Sequence, residues 1–214
     1  YGRMEDCRGF ARYLGYSAVV AVANGYQMML HSPQGDYQLT LPLLGEFNIQ
    51  NVLAAISAML VLGYPLSAVL AVLDKLTAVP GRMELFHFPQ DFSAVIDYAH
   101  TPDALQQALQ SLRLHCRGRL WCVFGCGGDR DRGKRPVMGQ LAELSADHVI
   151  ITADNPRTED VLDICQDIVT GFASRDHFQI EPDRESAIKL ALIEAQPGDM
   201  ILVAGKGHEP YQII

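Results

Sequence analysis

The sequence lacks the long apolar runs and the basic clusters that mark two common classes of protein. No stretch of about 18 consecutive apolar residues occurs, so the sequence predicts no membrane-spanning helix. Lys and Arg number 17 against 25 Asp and Glu, which gives a formal net charge of −8. An acidic chain without a block of Lys and Arg interleaved with aromatics does not favour binding to nucleic acid or to an anionic membrane.

The five cysteines lack the spacing of a disulfide framework or a zinc site. Cys122 and Cys126 are separated by three residues, and no second pair follows them. This spacing matches no structural zinc pattern, and an odd count leaves at least one thiol unpaired. We therefore interpret the cysteines as reduced thiols of a cytoplasmic protein. The first residues, Tyr1 to Arg3, do not resemble a signal peptide.

The first part of the sequence predicts three strands followed by two helices. The predicted strands are residues 17–23, 26–30 and 37–41. Asn24-Gly25 is a strong hairpin signal between the first two strands, and Ser32-Pro33-Gln34-Gly35 fits a type I turn before the third. Helical spacing begins at Asn48 and stops at Gly63, and a second helix begins at Leu66.

The second part alternates strands and helices, which predicts a mostly parallel α/β sheet covered on both faces. The predicted strands are residues 93–97, 120–124, 148–152, 177–180 and 200–204. Thr101 and Pro102 are expected to cap and open the first helix of this part. Val79-Pro80-Gly81-Arg82 interrupts the pattern, and we place the domain boundary there, between residues 1–82 and 83–214.

Polar and glycine-rich segments follow four of these five strands. They are residues 97–102, 125–136, 154–157 and 205–209. In open α/β sheets, ligands bind where loops leave the carboxyl ends of the strands. We therefore expect the functional site to lie at these four segments.

The glycine-rich segment allows three interpretations. Gly128 to Lys134 matches the front of a P-loop, but Arg135 stands where a Ser or Thr should hold magnesium, and Asp129 and Asp131 would repel phosphate. A glycine turn that feeds a helix near Pro136 is the plain structural alternative. The third interpretation is a ligand loop that presents Arg130, whose guanidinium can grip a carboxylate through two hydrogen bonds.

Cys126 in this segment is a weaker candidate. Nearby arginines would lower the pKa of its thiol and favour a nucleophile. The sequence shows no clear arrangement of His and Asp aimed at it.

The other two segments supply groups of both charges. Asp154, Asn155 and Arg157 surround a rigid proline, although Asp-Asn-Pro is also ordinary turn chemistry and Thr158 could cap the next helix. Glu209 suits an ammonium ion, although it could also be a solvated residue of a glycine turn. With Arg130 and Arg157 for carboxylates and Asp154 and Glu209 for ammonium groups, the set fits a zwitterionic amino acid better than a nucleotide.

Five motifs in a fixed order resemble the Mur ligase family over essentially the whole chain. They are V-P-G-R-M-E (79–84), D-Y-A-H-T-P-D (97–103), F-G-C-G-G-D-R-D-R-G-K-R-P (124–136), D-N-P-R (154–157) and G-K-G-H-E (205–209). The D-N-P-R motif is similar to that of members that select meso-diaminopimelate over lysine. The resemblance implies a three-domain ligase, of which residues 1–82 are the remainder of the central ATP-binding domain. Residues 83–214 would then be the Rossmann-like amino-acid-binding domain without its last segment.

The resemblance also implies an activity. Such ligases use ATP and Mg²⁺ to phosphorylate the D-glutamyl carboxylate of UDP-N-acetylmuramoyl-L-alanyl-D-glutamate. The amine of meso-diaminopimelate then attacks the acyl phosphate in peptidoglycan synthesis. No P-loop and no UDP-sugar domain occur in these 214 residues, so we expect this chain alone to be inactive.

The resemblance assigns site residues by position in the motifs. The positions implied to bind meso-diaminopimelate are Arg130, Asp154, Asn155, Pro156, Arg157, Gly205 and Glu209. Asn155 and Arg157 would hold the distal carboxylate that lysine lacks. The positions implied to face ATP are Asn48, Asn51, Arg82, Asp97, Tyr98 and His100. No catalytic residue and no metal ligand is assigned in this chain.

Three alternatives remain open from the sequence. The chain could act only as an amino-acid-binding module. The parent could be a sister ligase that adds lysine or extends folate with glutamate, against which the D-N-P-R motif argues. A Rossmann dehydrogenase domain is disfavoured because no G-x-G-x-x-G follows the first strand.

Overall fold

A computed structural model gives the fold of residues 14–209. Two compact units divide the chain between Thr77 and Ala78. The division lies before the turn at residues 79–82, whereas the sequence suggests a boundary after it. The turn belongs to the second unit because the backbone N–H of Gly81 donates to Glu84 Oε2 at 2.8 Å and that of Met83 donates to Asp97 Oδ2 at 2.8 Å.

The first unit contains an antiparallel sheet in the order β1-β2-β3. Its strands are β1 (Gly15–Val22), β2 (Gly25–Ser32) and β3 (Gly35–Leu41). The hairpin predicted from Asn24-Gly25 is confirmed, but the pairing of Val22 with Gly25 places Ala23 and Asn24 in the loop. Gly25 is therefore the first residue of β2, where a Cβ would overlap the carbonyl oxygen of Leu41.

Two helices cover this sheet. Helix α1 (Phe47–Val61) is followed by Gly63, whose φ of 89° ends the helix as the sequence predicts. The predicted second helix is shorter than expected. It consists of α2 (Leu66–Leu70) and a separate 3-10 turn (Leu73–Lys75), because Val72 between them has a φ of −115° that no longer continues the helix. Apolar side chains from the sheet, from both helices and from the 3-10 turn form one core.

The second unit is built on a six-stranded sheet in the order β4-β5-β9-β6-β7-β8. Its strands are β4 (Glu84–His87), β5 (Ser93–Asp97), β6 (Leu120–Phe124), β7 (His148–Ile151), β8 (Phe178–Ile180) and β9 (Met200–Ala204). All neighbours run parallel except β4, which pairs antiparallel with β5. The mostly parallel, Rossmann-like sheet is therefore confirmed, and β4 is an additional edge strand that its short, half-exposed sequence did not reveal.

Four helices connect the parallel strands. They are α3 (Pro102–Arg113), α4 (Lys134–Ser145), α5 (Val161–Val169) and α6 (Arg184–Glu194). Thr101 caps α3 as predicted, because its Oγ1 accepts a hydrogen bond from Ala104 N at 3.3 Å. The prediction that Thr158 could cap α5 is wrong. Asp160 is the cap and accepts from Leu162 N at 2.7 Å, because it directly precedes the helix.

The strand pairing brings the carboxyl ends of β5, β6, β7 and β9 to one edge of the sheet. Strands β6 and β9 are buried along their whole length, as expected for central parallel strands. The four polar segments found in the sequence follow these four strands, so they share this edge. Among residues 14–209, every helix is too short or too polar to span a bilayer.

Candidate functional site

The loops after β6 and β7 pack against each other backbone to backbone. A Cβ at Gly128 would overlap the carbonyl oxygen of Pro156, and one at Gly125 would overlap that of Thr152. The N–H of Gly128 donates to the carbonyl of Asn155 at 2.9 Å. The glycines are therefore required by the neighbouring loop, which gives them a structural reason that does not involve phosphate.

Arg135 further separates this segment from a P-loop. Its side chain is fully buried and its two terminal nitrogens donate to both carboxylate oxygens of Glu159, each at 2.8 Å. Asp167 Oδ2 accepts another bond from Arg135 Nη1 at 2.8 Å. The hydrogen bonds from Arg135 are the main reason that the pKa of Glu159 is lowered to about 2. The residue that replaces the magnesium-binding Ser or Thr is thus committed to ion pairs.

Asp129 and Thr158 form a second link between the two loops. Thr158 Oγ1 donates to Asp129 Oδ1 at 2.6 Å, and the N–H of Asp129 donates to Glu159 Oε1 at 2.7 Å. Asp129 has a φ of 51° and Arg157 a φ of 55°, both in the left-handed region that L-residues rarely adopt. Left-handed residues outside glycine cluster at functional sites, and both of these adjoin or belong to the predicted ligand positions.

Arg157 and Arg130 present guanidinium groups from these two loops. Arg157 is half-buried, and its Nη1 donates to the carbonyls of Gly128 at 2.8 Å and Asn155 at 3.2 Å. Within residues 14–209, the Nη2 of Arg157 has no hydrogen-bond partner. Arg130 is exposed, and its one hydrogen bond to a described residue runs from Nη1 to the carbonyl of Asp129 at 3.2 Å. Both groups retain donors for an anionic ligand.

The Asp154 and Asn155 side chains lie at the buried base of this edge, with relative exposures of 9% and 7%. Asn155 Nδ2 donates to Glu209 Oε2 at 3.4 Å, and its Oδ1 accepts from Lys206 Nζ at 2.9 Å. A Cβ at Gly205, whose φ is 112°, would crowd the carboxylate of Asp154. The loop after β9 therefore meets the loop after β7 at these two residues.

Glu209 completes this meeting point. Its Oε1 accepts a hydrogen bond from Tyr98 OH at 3.3 Å, and its Oε2 lies 3.5 Å from Lys206 Nζ. Burial raises the pKa of Glu209, but the charge of Lys206 and the hydrogen bonds from Tyr98, Asn155 and Lys206 outweigh it, so the pKa is lowered overall. Glu209 is thus kept anionic, as an ammonium ligand requires.

Three of the residues assigned to the ATP side support one another. The guanidinium carbon of Arg82 lies 4.1 Å from the centre of the Tyr98 ring, a cation–π contact. His100 Nδ1 lies 2.8 Å from the carbonyl oxygen of Tyr98. Because Tyr98 also donates to Glu209, it touches both predicted groups of residues.

Asp97 has a different environment from its neighbours. Its Oδ1 accepts from Ala99 N and its Oδ2 from Met83 N, each at 2.8 Å. Burial raises its pKa, and these backbone hydrogen bonds and the charge of Arg82 oppose that rise without cancelling it. Asp97 ties the turn at residues 79–83 to the end of β5, which places Arg82 over Tyr98.

Two residues at this edge have no counterpart in the sequence-based assignment. Lys206 joins Asn155 and Glu209, and only its place between two glycines of the G-K-G-H-E motif hinted at a role.

Arg184 is the second of these residues. It is buried, and its guanidinium donates to the carbonyls of Ala153 at 3.2 Å and Ala204 at 2.8 Å. Burial lowers the pKa of Arg184, whereas the charge of Asp154 raises it. Arg184 fastens the ends of β7 and β9 together behind the site.

Asn48 and Asn51 lie in the first unit, at the start of α1. Asn48 Nδ2 donates to the carbonyl of Leu44 at 2.7 Å, and Asn51 Nδ2 donates to Asn48 Oδ1 at 3.0 Å. Their assignment to adenine stays a prediction.

Cys126 is unsuited to act as a nucleophile. It has a relative exposure of 2% and its sulfur lies 3.7 Å from that of Met138. Burial raises the pKa of its thiol to about 12, and the opposing charges of Lys134 and Arg135 do not compensate. The thiol is therefore protonated and enclosed at neutral pH.

The part of the chain that the structure describes contains no group of three or more His, Cys, Asp or Glu side chains that could hold a metal ion. What the edge does offer is two guanidinium groups and two carboxylates on adjoining loops. This arrangement can bind an amino acid by its charged ends.

A family model described as the glutamate ligase domain of Mur ligases matches residues 81–207. The chain belongs to the Mur ligase family. A curated relative, the UDP-N-acetylmuramoyl-L-alanyl-D-glutamate--2,6-diaminopimelate ligase of Haemophilus influenzae strain PittGG, is 50% identical over 190 residues. That match covers 89% of this chain and 39% of the relative. The chain therefore spans about two fifths of the length of this curated relative.

Solved structures agree with this family. The structure of a UDP-N-acetylmuramoyl-L-alanyl-D-glutamate--2,6-diaminopimelate ligase is 44% identical with a TM-score of 0.72, over 94% of this chain and 41% of that one. A Mycobacterium tuberculosis folylpolyglutamate synthase complexed with ADP and AMPPCP is 25% identical with a TM-score of 0.67, over 90% of this chain and 45% of that one. Membership of the Mur ligase family rules out the dehydrogenase alternative, and the higher identities do not favour the folate alternative.

Proposed function

We propose that this chain is the amino-acid-binding part of an ATP-dependent Mur ligase that acts in peptidoglycan synthesis. The ligase would join meso-diaminopimelate to UDP-N-acetylmuramoyl-L-alanyl-D-glutamate through an acyl phosphate. The observation that carries the proposal is the placement of Asp154, Asn155 and Arg157 on one loop, between the carboxylate of Glu209 and the loop of Arg130. A curated relative of 50% identity and a solved structure of 44% identity are both named as diaminopimelate ligases.

The site has two sides. The carboxylate side consists of Arg130 and Arg157, whose guanidinium groups would bind the carboxylates of the amino acid. The ammonium side consists of Asp154 and Glu209, which would bind ammonium groups. Asn155 lies between them: its side-chain amide donates to Glu209, and its backbone carbonyl oxygen accepts from Gly128 N and Arg157 Nη1. Opposite charges at fixed separation would orient the amino acid so that one amine reaches the acyl phosphate.

The carboxylate side also gives a reason to prefer diaminopimelate to lysine. Diaminopimelate carries a carboxylate at each end, whereas lysine carries only one. A site built for both would leave a guanidinium donor of Arg157 or Arg130 without a partner when lysine binds. A donor that the bound ligand shields from water and leaves unpaired costs free energy, and this kind of mismatch gives strong discrimination.

By their positions in the motifs, Arg82, Asp97, Tyr98 and His100 of the second unit are proposed to face ATP, and Asn48 and Asn51 of the first unit stay assigned to adenine. The Arg82 guanidinium is exposed and could bind a phosphate or stack on the adenine ring, which supports the assignment. These 214 residues contain no intact G-x-x-x-x-G-K-[ST] motif, so we propose that another part of the ligase holds the phosphates and Mg²⁺. The residues of this chain would therefore position the amine of the amino acid, and the chain alone would not catalyse the reaction.

Titration of this chain with meso-diaminopimelate, followed by amide chemical shifts in NMR, tests the proposal. We expect shifts at Arg130, Asn155, Arg157 and Glu209 that saturate with diaminopimelate and are much weaker with lysine. Equal responses to the two would contradict the selectivity and favour a lysine-adding ligase. Absence of a response in both this chain and the full-length protein that carries it would overturn the proposed site.

A further inference from the structure

We infer that Arg135 and Glu159 are positioning residues that set the affinity of the carboxylate side for its amino acid. They form an ion pair between a fully buried guanidinium and a partly exposed carboxylate, and this pair holds the loop of Arg130 against the loop of Arg157. Neither residue is expected to touch the ligand. This inference rests on the proposed function, and it adds residues that the motif assignment leaves out.

The first step of the argument is the geometry of the pair. Arg135 is fully buried and makes a two-pronged contact with Glu159, with both N–O distances at 2.8 Å. The same guanidinium also donates to the carbonyl oxygen of Gly127 at 3.3 Å. One side chain at the start of α4 thus grips both loops, since Gly127 belongs to one and Glu159 to the other.

The second step leads from the pair to the ligand-facing arginines. Glu159 Oε1 accepts the N–H of Asp129, the residue immediately before Arg130. Glu159 also lies two residues after Arg157 on its own short loop. A displacement of Glu159 would therefore move Arg130 through the hydrogen bond to Asp129, and Arg157 through two residues of backbone. Asp129 and Arg157 are the two left-handed residues of these loops, and such strained residues persist only where the surroundings over-determine them.

The third step concerns why the contact is ionic. Burial of the Arg135 guanidinium carries a large desolvation cost, so its pair with Glu159 contributes little net stability compared with an apolar contact of the same size. The pair instead fixes geometry, because a planar fork matched to a carboxylate tolerates little rotation. The nearby pair of Arg132 with Asp167 is more exposed, with 64% of the Arg132 side chain accessible, and it joins the loop after β6 to α5 rather than to the loop of Arg157.

Three variants of the full-length protein that carries this sequence test the inference. Arg135→Met removes the fork and leaves the partly buried carboxylate of Glu159 without its guanidinium partner. The double variant Arg135→Met with Glu159→Gln removes both charges, and we expect it to recover much of the lost stability. Trp121→Phe is the stability control, because it deletes a buried hydrogen bond to Asp199 at the opposite end of the sheet.

The readout is steady-state kinetics with meso-diaminopimelate at a temperature at which every variant is folded by circular dichroism. We expect about a tenfold or larger rise in KM for diaminopimelate in the single and double variants, with kcat within about threefold of wild type. Trp121→Phe should leave KM unchanged while lowering the melting temperature. The KM for ATP should not move in any of them.

The outcomes separate the inference from the proposed function. If the wild-type protein does not use or bind diaminopimelate, the proposed function fails. If wild type does and the double variant regains both stability and the wild-type KM, then Arg135 and Glu159 only stabilise the fold and the inference is overturned. If Trp121→Phe raises KM as much as Arg135→Met, the rise in KM comes from lost stability of the fold, and the inference is again overturned. Retention of the KM defect in the stable double variant supports positioning.

Discussion

The carboxylate side and the ammonium side of the site differ in how they are held. Behind the carboxylate side, Arg135, Glu159, Asp129 and Thr158 are joined by four hydrogen bonds of 2.6–2.8 Å, two of them from a fully buried guanidinium, and by one of 3.3 Å from Thr158 N to Asp129 Oδ2. On the ammonium side, Glu209 receives its bonds from Tyr98 at 3.3 Å and from Asn155 at 3.4 Å. The bond from Tyr98 is longer than the 2.5–3.0 Å that hydroxyl donors prefer, and the one from Asn155 is longer than the usual 2.7–3.2 Å of an amide donor.

This difference suggests a division of labour. The carboxylate side is held in position before a ligand binds. Such preorganisation lets the position of its guanidinium groups select a ligand that has a second carboxylate. The ammonium side holds Glu209 with partners that are easily exchanged, so a ligand ammonium can take the place of Tyr98 or Asn155. Selectivity would then reside mainly on the first side and capture of the amine on the second. Four predictions test this contrast.

The largest effect is expected for Arg157→Met. Removal of a charged donor aimed at a ligand carboxylate should weaken diaminopimelate binding on the order of 100-fold. Lysine binding should change far less, because lysine lacks the carboxylate concerned. Isothermal titration with both amino acids measures this. Arg132→Met is the matched control, since it removes an arginine of the neighbouring loop after β6 whose partner is Asp167, and equal losses for both amino acids in Arg157→Met would contradict the division of the site.

A smaller effect is expected for Glu209→Gln. The amide keeps the size of the side chain and most of its neutral hydrogen bonds but loses the charge that attracts an ammonium group. We expect about a tenfold loss of affinity that is similar for diaminopimelate and lysine, since charged hydrogen bonds are worth about 1.5–3 kcal/mol. Glu181→Gln is the control, because Glu181 follows β8 and its carboxylate accepts from Asp183 N, and neither residue is among the predicted ligand positions. A loss confined to diaminopimelate would place Glu209 on the carboxylate side.

Much of this arrangement could be predicted from the sequence, because it depends on local signals. Alternation of strands and helices gives the parallel sheet, and Thr101 and Gly63 mark helix ends by their intrinsic preferences. The edge of the sheet that carries the site follows from strand direction alone. These features need no knowledge of which distant side chains meet.

The rest depends on distant partners, which one sequence does not disclose. Arg135 lies 24 residues from Glu159 and 32 from Asp167, and a sequence with many charged residues offers no way to choose that pairing. The burial of Arg184 is decided by two backbone carbonyls on different strands. Strand β4 is missed because an exposed edge strand of four residues has too little apolar pattern.

The third prediction concerns pH and Lys206→Met. Binding of an ammonium group needs ionised Glu209, so affinity is lost as pH falls through the pKa of that carboxyl. In wild type this pKa is lowered below the ordinary 4.5, so affinity should persist to more acidic pH than 4.5. Loss of the Lys206 charge leaves burial to raise the pKa, so the acid limb should move upward, with only a few-fold change at pH 7.

Binding titrations between pH 3.5 and 7 in steps of about half a unit resolve such a shift, which amounts to about 1.4 kcal/mol for each pKa unit. Lys189→Met is the control, because Lys189 pairs with Glu185 on the exposed face of α6. An acid limb at the same pH in wild type and Lys206→Met would mean that Lys206 does not tune Glu209. It would also weaken the view that the ammonium side is held by adjustable contacts.

The smallest effect is expected for Cys126→Ala. Cys126 lies on the loop of the carboxylate side, but its thiol is enclosed, and burial raises its pKa to about 12. We expect diaminopimelate affinity and turnover of the full-length protein to stay within about twofold, with a loss of about 1 kcal/mol in the free energy of unfolding from the missing sulfur. In native protein at pH 8, a thiol reagent should not modify Cys126, as mass spectrometry of the labelled peptide would show, whereas unfolded protein should react. Loss of turnover in Cys126→Ala with diaminopimelate binding intact would restore the nucleophile hypothesis. A shared loss of binding and stability would instead show that the packing of Cys126 against Met138 belongs to the support of the carboxylate side.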